Sequence, residues 1–176
     1  NKLKELRIED ETIIIFMTDN GPQQFRYNGN MKGRKGSVYN GGIRVPFFLK
    51  VPNKFKDVKV KEINKLSAHI DLVPTISELC DVELPKNKNI DGKSLIPLLE
   101  GKNTENRYLF SYWTRRFPEK YINMSIQNDK FKLVGNNNYD SDIKNFELYD
   151  LINDPNEKNN IIKENIQIAT EFKYEM

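Results

Sequence analysis

Two oxygen donors, a lysine and a set of glycines follow one another in residues 12–46, and no other stretch of the chain gathers such groups. Asp19 and Asn20 end a nearly continuous apolar run, residues 12–18, and are followed by Gly21 and Pro22. A carboxylate beside an amide carbonyl is a pair of hard donors. It suits Ca²⁺ or Mg²⁺ far better than a soft metal, which calls for Cys or His. Two donors leave most of a shell of roughly six to eight unfilled. Asp-Asn-Gly-Pro is also ordinary turn chemistry, since Asn and Gly tolerate left-handed backbone and Pro presets φ. The residues alone leave both readings open.

The loop that follows carries Gly33, Gly36, Gly41 and Gly42, which let the main chain approach a ligand, with Lys35 and Arg44 as positive charges for an anion. The compact ammonium of Lys35 can act as a point charge on one ester oxygen. Arg44, beside Val45-Pro46, reads as an anchor. A solvated basic loop is the competing account of Lys35.

The elements that must position these groups can be read outward from them. Residues 12–18 are rich in β-branched and aromatic side chains, which predicts a strand covered on both faces, as in a parallel sheet between helices. Ligand sites in such sheets lie at the carboxyl ends of the strands, where Asp19 and Asn20 stand. Residues 1–10, with Leu3, Leu6 and Ile8 among charges, read as the end of an amphipathic helix. A helix leading into a buried strand needs parallel neighbours, so further sheet residues are expected ahead of this chain.

Residues 45–51 predict a second strand, and residues 56–65 an exposed connection with some strand character. Residues 67–80 predict a strand-like lead and a helix capped by Asp71, with Pro74 in its first turn and Ile76, Leu79 and Cys80 on its apolar face. Cys80 is then a small buried hydrophobe, and Asp81 stands at the left-handed helix stop. His69, the single His, reads as a structural residue beside that cap rather than an acid or base. A Pro- and Lys-containing loop, residues 84–89, and a turn at Asp91-Gly92-Lys93-Ser94 lead to a core cluster, Leu95-Ile96-Pro97-Leu98-Leu99.

Residues 101–107 make the best internal boundary, dividing 1–105 from 106–176. Beyond it, residues 108–113, 121–127, 130–135 and 145–151 predict four strands of a small antiparallel sheet, with a hairpin turn at Asn128-Asp129 and a looser loop at 136–138. Asp154-Pro155 turns the chain into a terminal helix near residues 161–174, where Ile162, Ile166, Ala169 and Phe172 keep helical spacing. Trp113, Arg115, Arg116 and Phe117 could stack on a sugar and pair with an anion, or could be a solvated strand end.

Composition narrows the classes. The chain has 176 residues and a net charge of +3, which argues against disorder and offers no strong nucleic-acid footprint. One Cys excludes an internal disulfide framework. No apolar run approaches the roughly 20 residues of a membrane-spanning helix, and no leader-like segment opens the chain.

Five ordered blocks carry a resemblance. They are Asp19-Asn20-Gly21; Lys35-Gly36-Ser37-Val38-Tyr39-Asn40-Gly41-Gly42-Ile43-Arg44-Val45-Pro46; His69-Ile70-Asp71-Leu72-Val73-Pro74-Thr75; Leu95-Ile96-Pro97-Leu98-Leu99; and Glu147-Leu148-Tyr149-Asp150-Leu151 followed by Asp154-Pro155. Together they resemble the later half of the sulfatase family, arylsulfatase-like members of the alkaline phosphatase-like superfamily. The resemblance implies an α/β fold: the C-terminal part of an α/β sandwich, residues 1–105, then an antiparallel subdomain with a terminal helix, residues 106–176. It implies that Asp19 and Asn20 bind Ca²⁺, in preference to Mg²⁺, and that Lys35 contacts the substrate sulfate. It also implies a sulfated sugar or aryl sulfate as substrate, and a periplasmic, extracellular or lysosomal setting.

The pattern departs from the family in two ways. Asn40 stands where the family usually has Glu, which puts a local ion pair or hydrogen bond in question. The formylglycine nucleophile comes from Cys or Ser in a Cys/Ser-x-Pro-x-Arg motif, and no such motif occurs in residues 1–176. The expectation is a C-terminal fragment of a sulfatase, inactive by itself, whose nucleophile and remaining metal ligands lie outside it. A phosphate or phosphonate ester hydrolase of the same superfamily, and a noncatalytic remnant that binds sulfated glycan, are the rival expectations.

Overall fold

The computed structural model describes all residues except 1, 56, 57, 59, 116 and 137–140. In chain order its elements are helix α1 (Lys2–Glu5), strand β1 (Ile14–Met17), helix α2 (Asn40–Ile43), strand β2 (Phe47–Lys50), helices α3 (Leu72–Leu79) and α4 (Ile96–Leu99), strands β3 (Leu109–Tyr112), β4 (Ile122–Gln127), β5 (Phe131–Asn136) and β6 (Glu147–Asp150), and helix α5 (Ile166–Glu175). They fall into two compact units. The first comprises Asn1–Phe16 and Phe47–Glu105, the second Met17–Pro46 and Asn106–Met176.

In the first unit β1 and β2 form a two-stranded sheet. The apolar run does become a strand, yet it is not covered on both faces. Its side chains alternate between half-buried and exposed, with Ile14 41% and Phe16 62% accessible. In this two-stranded sheet the Phe16 ring stands 6.0 Å from that of Phe48, itself 65% accessible. Residues 56–65 form no strand among those described, and 56, 57 and 59 lie outside the described residues.

The lead into α3 is a 3₁₀ turn, His69–Asp71, instead of a strand. Asp71 is fully buried and accepts from the backbone N–H of Ala68 at 2.7 Å and of Lys93 at 2.9 Å. It therefore ties the helix start to the turn before α4, as an anchor and not a ligand. Thr75 extends the tie by accepting from the Leu95 N–H at 3.0 Å. His69 is exposed on the turn. Cys80 is exposed too, against the expectation of burial. The helix ends at Leu79, so Cys80 falls at the C-cap and leaves the apolar face to Leu79, while Ile76 is 38% exposed. Asp81 takes the left-handed stop, φ 55°, as its position predicts. Leu95, Ile96 and Leu98 are buried, as a core cluster should be.

In the second unit all four expected strands form one antiparallel sheet in the order β3, β4, β5, β6. Asn128 closes the β4–β5 hairpin by accepting from the N–H groups of Lys130 and Phe131 at 2.9 and 2.8 Å. Residues 137 and 138 of the looser loop lie outside the described residues. Period-two alternation gives the sheet two different faces. Ile126, Leu133 and Leu148 pair across β4, β5 and β6 and form one apolar row. Phe146, Ile162, Ala169 and Phe172 pack on that row, so α5 and the 3₁₀ turn before it cover this face. Each such side chain contributes about 1.5–3 kcal/mol by leaving water. The opposite face carries Ser125, Lys132, Val134, Glu147 and Tyr149. Val134 and Tyr149 pack there on Val38, from the Gly-rich loop.

Candidate functional site

Asp19 and Asn20 lie on one turn directly after β1. The Asn20 side-chain amide donates to Asp19 Oδ2, which brings the two donors together. Asp19 is exposed, and its other carboxylate oxygen and the Asn20 amide oxygen take no hydrogen bond among the described residues. That donor set fits a hard cation, and it supplies two ligands. No group of three or more His, Cys, Asp or Glu residues is placed to hold a metal among the described residues.

The Gly-rich loop packs onto this turn through its backbone. The Gly21 N–H donates to Gly42 O at 2.8 Å, and the Lys35 N–H donates to Pro22 O at 3.1 Å. Gly21 is needed at this approach because a Cβ there would stand 1.8 Å from Gly41 O. Short α2 thus presses its Gly-Gly edge on the Asp-Asn turn, and Lys35 is anchored beside Pro22. The Lys35 side chain is exposed, and its ammonium takes no hydrogen bond or ion pair among the described residues. Asp19, Asn20 and Lys35 all belong to the second unit.

Three side-chain networks hold this loop on the polar face of the four-stranded sheet. The deepest contains Asn40. Lys132 and Glu157 are wholly buried, 2.6 Å apart. Lys132 also donates to Asn40 Oδ1 at 2.8 Å, while the Asn40 backbone N–H donates to Glu157 Oε2 at 2.6 Å and its side-chain amide to Pro155 O at 2.9 Å. Asn40 thus uses both halves of its amide beside the buried pair, its oxygen on Lys132 and its N–H group on Pro155 O. Burial lowers the Lys132 pKa below its ordinary value, against the opposing pull of Glu157.

The second network centres on Glu147. It accepts from Lys32 at 2.9 Å, Tyr39 at 2.7 Å and Tyr149 at 2.6 Å, and Lys32 also donates to the Tyr149 hydroxyl at 2.7 Å. Burial pushes the Glu147 carboxyl up, but the hydrogen bonds from Tyr149, Tyr39 and Lys32 outweigh it and hold the pKa below its ordinary 4.5. Burial, with the Glu147 charge, raises both tyrosines, which stay protonated donors. The Lys32 ammonium also sits 4.2 Å from the Tyr39 ring centroid.

The third network is built on Asn123, in β4. The β4–β5 register shifts between Ile122 and Met124, and Asn123 has φ 50°. Its side chain donates to Gly36 O at 2.9 Å and Trp113 O at 3.0 Å, and accepts from the Val38 N–H at 3.2 Å. Trp113 covers Gly36, whose φ of 85° is left-handed and whose absent Cβ would lie 3.3 Å from the indole. The Arg115 guanidinium stands 5.5 Å from the Trp113 ring. Phe117 is 88% exposed, and Arg116 lies outside the described residues.

The sequence singled out Asp19, Asn20 and Lys35, and the structure gathers all of them on one turn-and-loop assembly. It gave no role to Lys132, Glu157 or Asn123. A lysine in a strand reads as a solvent-facing residue, and only the pairing of β5 with β4 and β6 turns it inward. Glu147 and Tyr149 belonged to a recognised block whose purpose the pattern did not reveal.

Comparison with known proteins agrees along the chain. A family model described as N-sulphoglucosamine sulphohydrolase, C-terminal, matches residues 34–176. The N-acetylgalactosamine-6-O-sulfatase of Bacteroides thetaiotaomicron is 31% identical over 205 aligned positions, covering 98% of this chain and 37% of that protein. The structure of Ps i-CgsB with k-i-k-neocarrahexaose superposes with a TM-score of 0.78 at 27% identity, over 99% of this chain and 37% of that one. A structure solved with its substrate D-glucosamine-2-N,6-O-disulfate superposes with a TM-score of 0.61 at 26% identity, over 96% of this chain and 35% of that one. This chain thus spans a little over a third of the length of each of the three.

Proposed function

The chain belongs to the sulfatase family, and on that premise we propose that it is the later portion of a Ca²⁺-dependent sulfatase that hydrolyses sulfate esters of a sugar. The observation that supports the proposal is the backbone clamp between the Asp19-Asn20 turn and the loop bearing Lys35, because it ties the segment with a pair of hard oxygen donors to the segment with an exposed ammonium. Asp19 and Asn20 would hold Ca²⁺, which when bound stabilises negative charge on the sulfate oxygens. Lys35 donates to another oxygen of the same sulfate and opposes the charge that grows there as the ester bond breaks. Preorganised charge of this kind is often the largest contribution to catalysis.

The formylglycine nucleophile and the other metal ligands belong, on this reading, to residues outside 1–176, with 1–105 completing the α/β catalytic domain and 106–176 forming its β subdomain. Ile14, Phe16 and Phe48, open on β1 and β2, support that division, because apolar strand faces of this size are ordinarily covered. A sulfated sugar is favoured over an aryl sulfate by the relative that acts at the 6-O position of N-acetylgalactosamine and by the neighbour solved with a disulfated glucosamine. This chain alone turns over no ester.

The test is made on the complete enzyme carrying this chain, with 6-O-sulfated N-acetylgalactosamine and the matching phosphate ester as substrates. Lys35→Ala should lower kcat on the sulfate ester by about 10²- to 10³-fold and leave bound Ca²⁺ unchanged, whereas Asp19→Ala should lose Ca²⁺ and activity together. Preference for the phosphate ester, or full activity of the Lys35→Ala enzyme, would overturn the reading.

A further inference from the structure

Asn123 stands far along the chain from Lys35, in a different element, yet it grips the loop on both sides of Gly36. Its side-chain N–H groups donate to Gly36 O and Trp113 O, and its side-chain oxygen accepts from the Val38 N–H. A second layer reinforces the grip, because the Trp113 N–H donates to Asn123 O at 3.2 Å and the indole lies against Gly36. The β4 bulge is what aims the side chain this way. Between Ile122 and Met124 the ladder slips, and Asn123 leaves the regular register with left-handed backbone, which Asn tolerates better than most residues.

Lys35 precedes Gly36 directly, and Gly36 has a left-handed φ of 85°. The Lys35-Gly36 peptide lies inside a tight turn closed by the Ser37 N–H on Arg34 O at 3.0 Å and by Ser37 Oγ on the same carbonyl at 2.8 Å, and the Lys35 N–H donates to Pro22 O. Freed of Asn123, this turn loses its attachment to β4 at Gly36 O and the Val38 N–H and can shift as a unit, carrying the exposed Lys35 stem with it. From this geometry we propose that Asn123 is a positioning residue of the sulfate site: it touches no substrate, and it fixes the backbone that aims Lys35. The proposal rests on the assignment of Lys35 to the sulfate.

The experiment uses the complete Ca²⁺-loaded protein, inorganic sulfate as the probe, and calorimetric titration of four forms: parent, Lys35→Ala, Asn123→Gly and the double variant. Glycine keeps the left-handed backbone and removes only the side chain. Asn123→Gly should weaken sulfate roughly 10-fold or more, since a displacement of about 1 Å at a charged contact can cost up to 10²-fold. The double variant should bind no worse than Lys35→Ala, because a residue acting through Lys35 has nothing left to position. Asn123→Asp retains the acceptor for Val38 but turns a carboxylate oxygen on the Gly36 and Trp113 carbonyls, so it should weaken sulfate at least as much as Asn123→Gly, and it carries the test if the glycine variant does not fold. Parent-like sulfate affinity in Asn123→Gly or Asn123→Asp, or a further loss in the double variant, would overturn the positioning role while leaving the Lys35 assignment intact. Parent-like affinity in Lys35→Ala would instead remove the Lys35 assignment, and the positioning role with it.

Discussion

Removing the Glu157 carboxylate should cost the second unit a large part of its stability. In Glu157→Ala the Lys132 ammonium, 0% exposed, loses its partner at 2.6 Å and keeps one neutral acceptor, Asn40 Oδ1 at 2.8 Å. Breaking a buried ion pair on one side costs about 3–5 kcal/mol. The Asn40 backbone N–H, which donated to Glu157 Oε2, is orphaned as well, adding about 1–3 kcal/mol. Set against a typical total of about 5–15 kcal/mol, the loss is severe. It has a ceiling, because Lys132 can shed its proton. The Lys132 pKa is already lowered from 10.5 by burial, and without Glu157 it falls further. The unfolded chain then binds more protons than the folded one, so the stability of the variant should rise with pH up to about 10.5, the ordinary lysine value. Urea unfolding followed by the fluorescence of Trp113, the single tryptophan, reads this unit directly. A Lys132→Met/Glu157→Leu double variant should regain much of the loss, since apolar replacement of a buried pair is often near neutral. Two results refute the reasoning: a Glu157→Ala midpoint within about 0.5 kcal/mol of the parent, the range of an ordinary surface change, or a double variant as unstable as the sum of the singles.

Two further expectations follow from the loop's other attachments. Gly21→Ala would set a Cβ 1.8 Å from Gly41 O, a backbone atom that cannot swing aside, so the turn and α2 must separate. The expected cost is about 1–3 kcal/mol or more, read as a lower thermal midpoint, together with weaker Ca²⁺ binding by the complete protein. The Glu147 network should give an acid-side loss of stability. Its carboxyl is held below 4.5, so its contribution is full above that value and is lost as pH falls through the lower folded-state pKa. Thermal midpoints measured from neutral pH downward should show that decline, and Glu147→Gln should flatten it; an unchanged slope in the variant would count against the network.

The sequence alone marked the stretch proposed to carry the chemistry. Asp19 and Asn20 end an apolar strand, Lys35 sits among glycines, and the spacing of the five blocks carried the family, because turn and loop residues are fixed by local backbone demands that a linear pattern retains. It also determined the four strands of the second unit and the presence of a terminal helix, which starts at Ile166 and not near 161, because Ile162 falls in a 3₁₀ turn, Ile162–Glu164, ahead of it. The tertiary structure decided how those residues are held. Cys80 turned outward because the helix stopped one residue earlier than its apolar spacing implied. Lys132 turned inward because strand pairing, which joins residues distant in sequence, decides which face of β5 meets the loop. Asn40 reads as a departure with an open consequence in one dimension, and as a hydrogen-bonded partner of a buried ion pair once the fold brings 40, 132 and 157 together. Asn123 was silent in the sequence for the same reason. A bulge and a reach across the chain, neither written in any local pattern, set its side chain on the loop that carries Lys35.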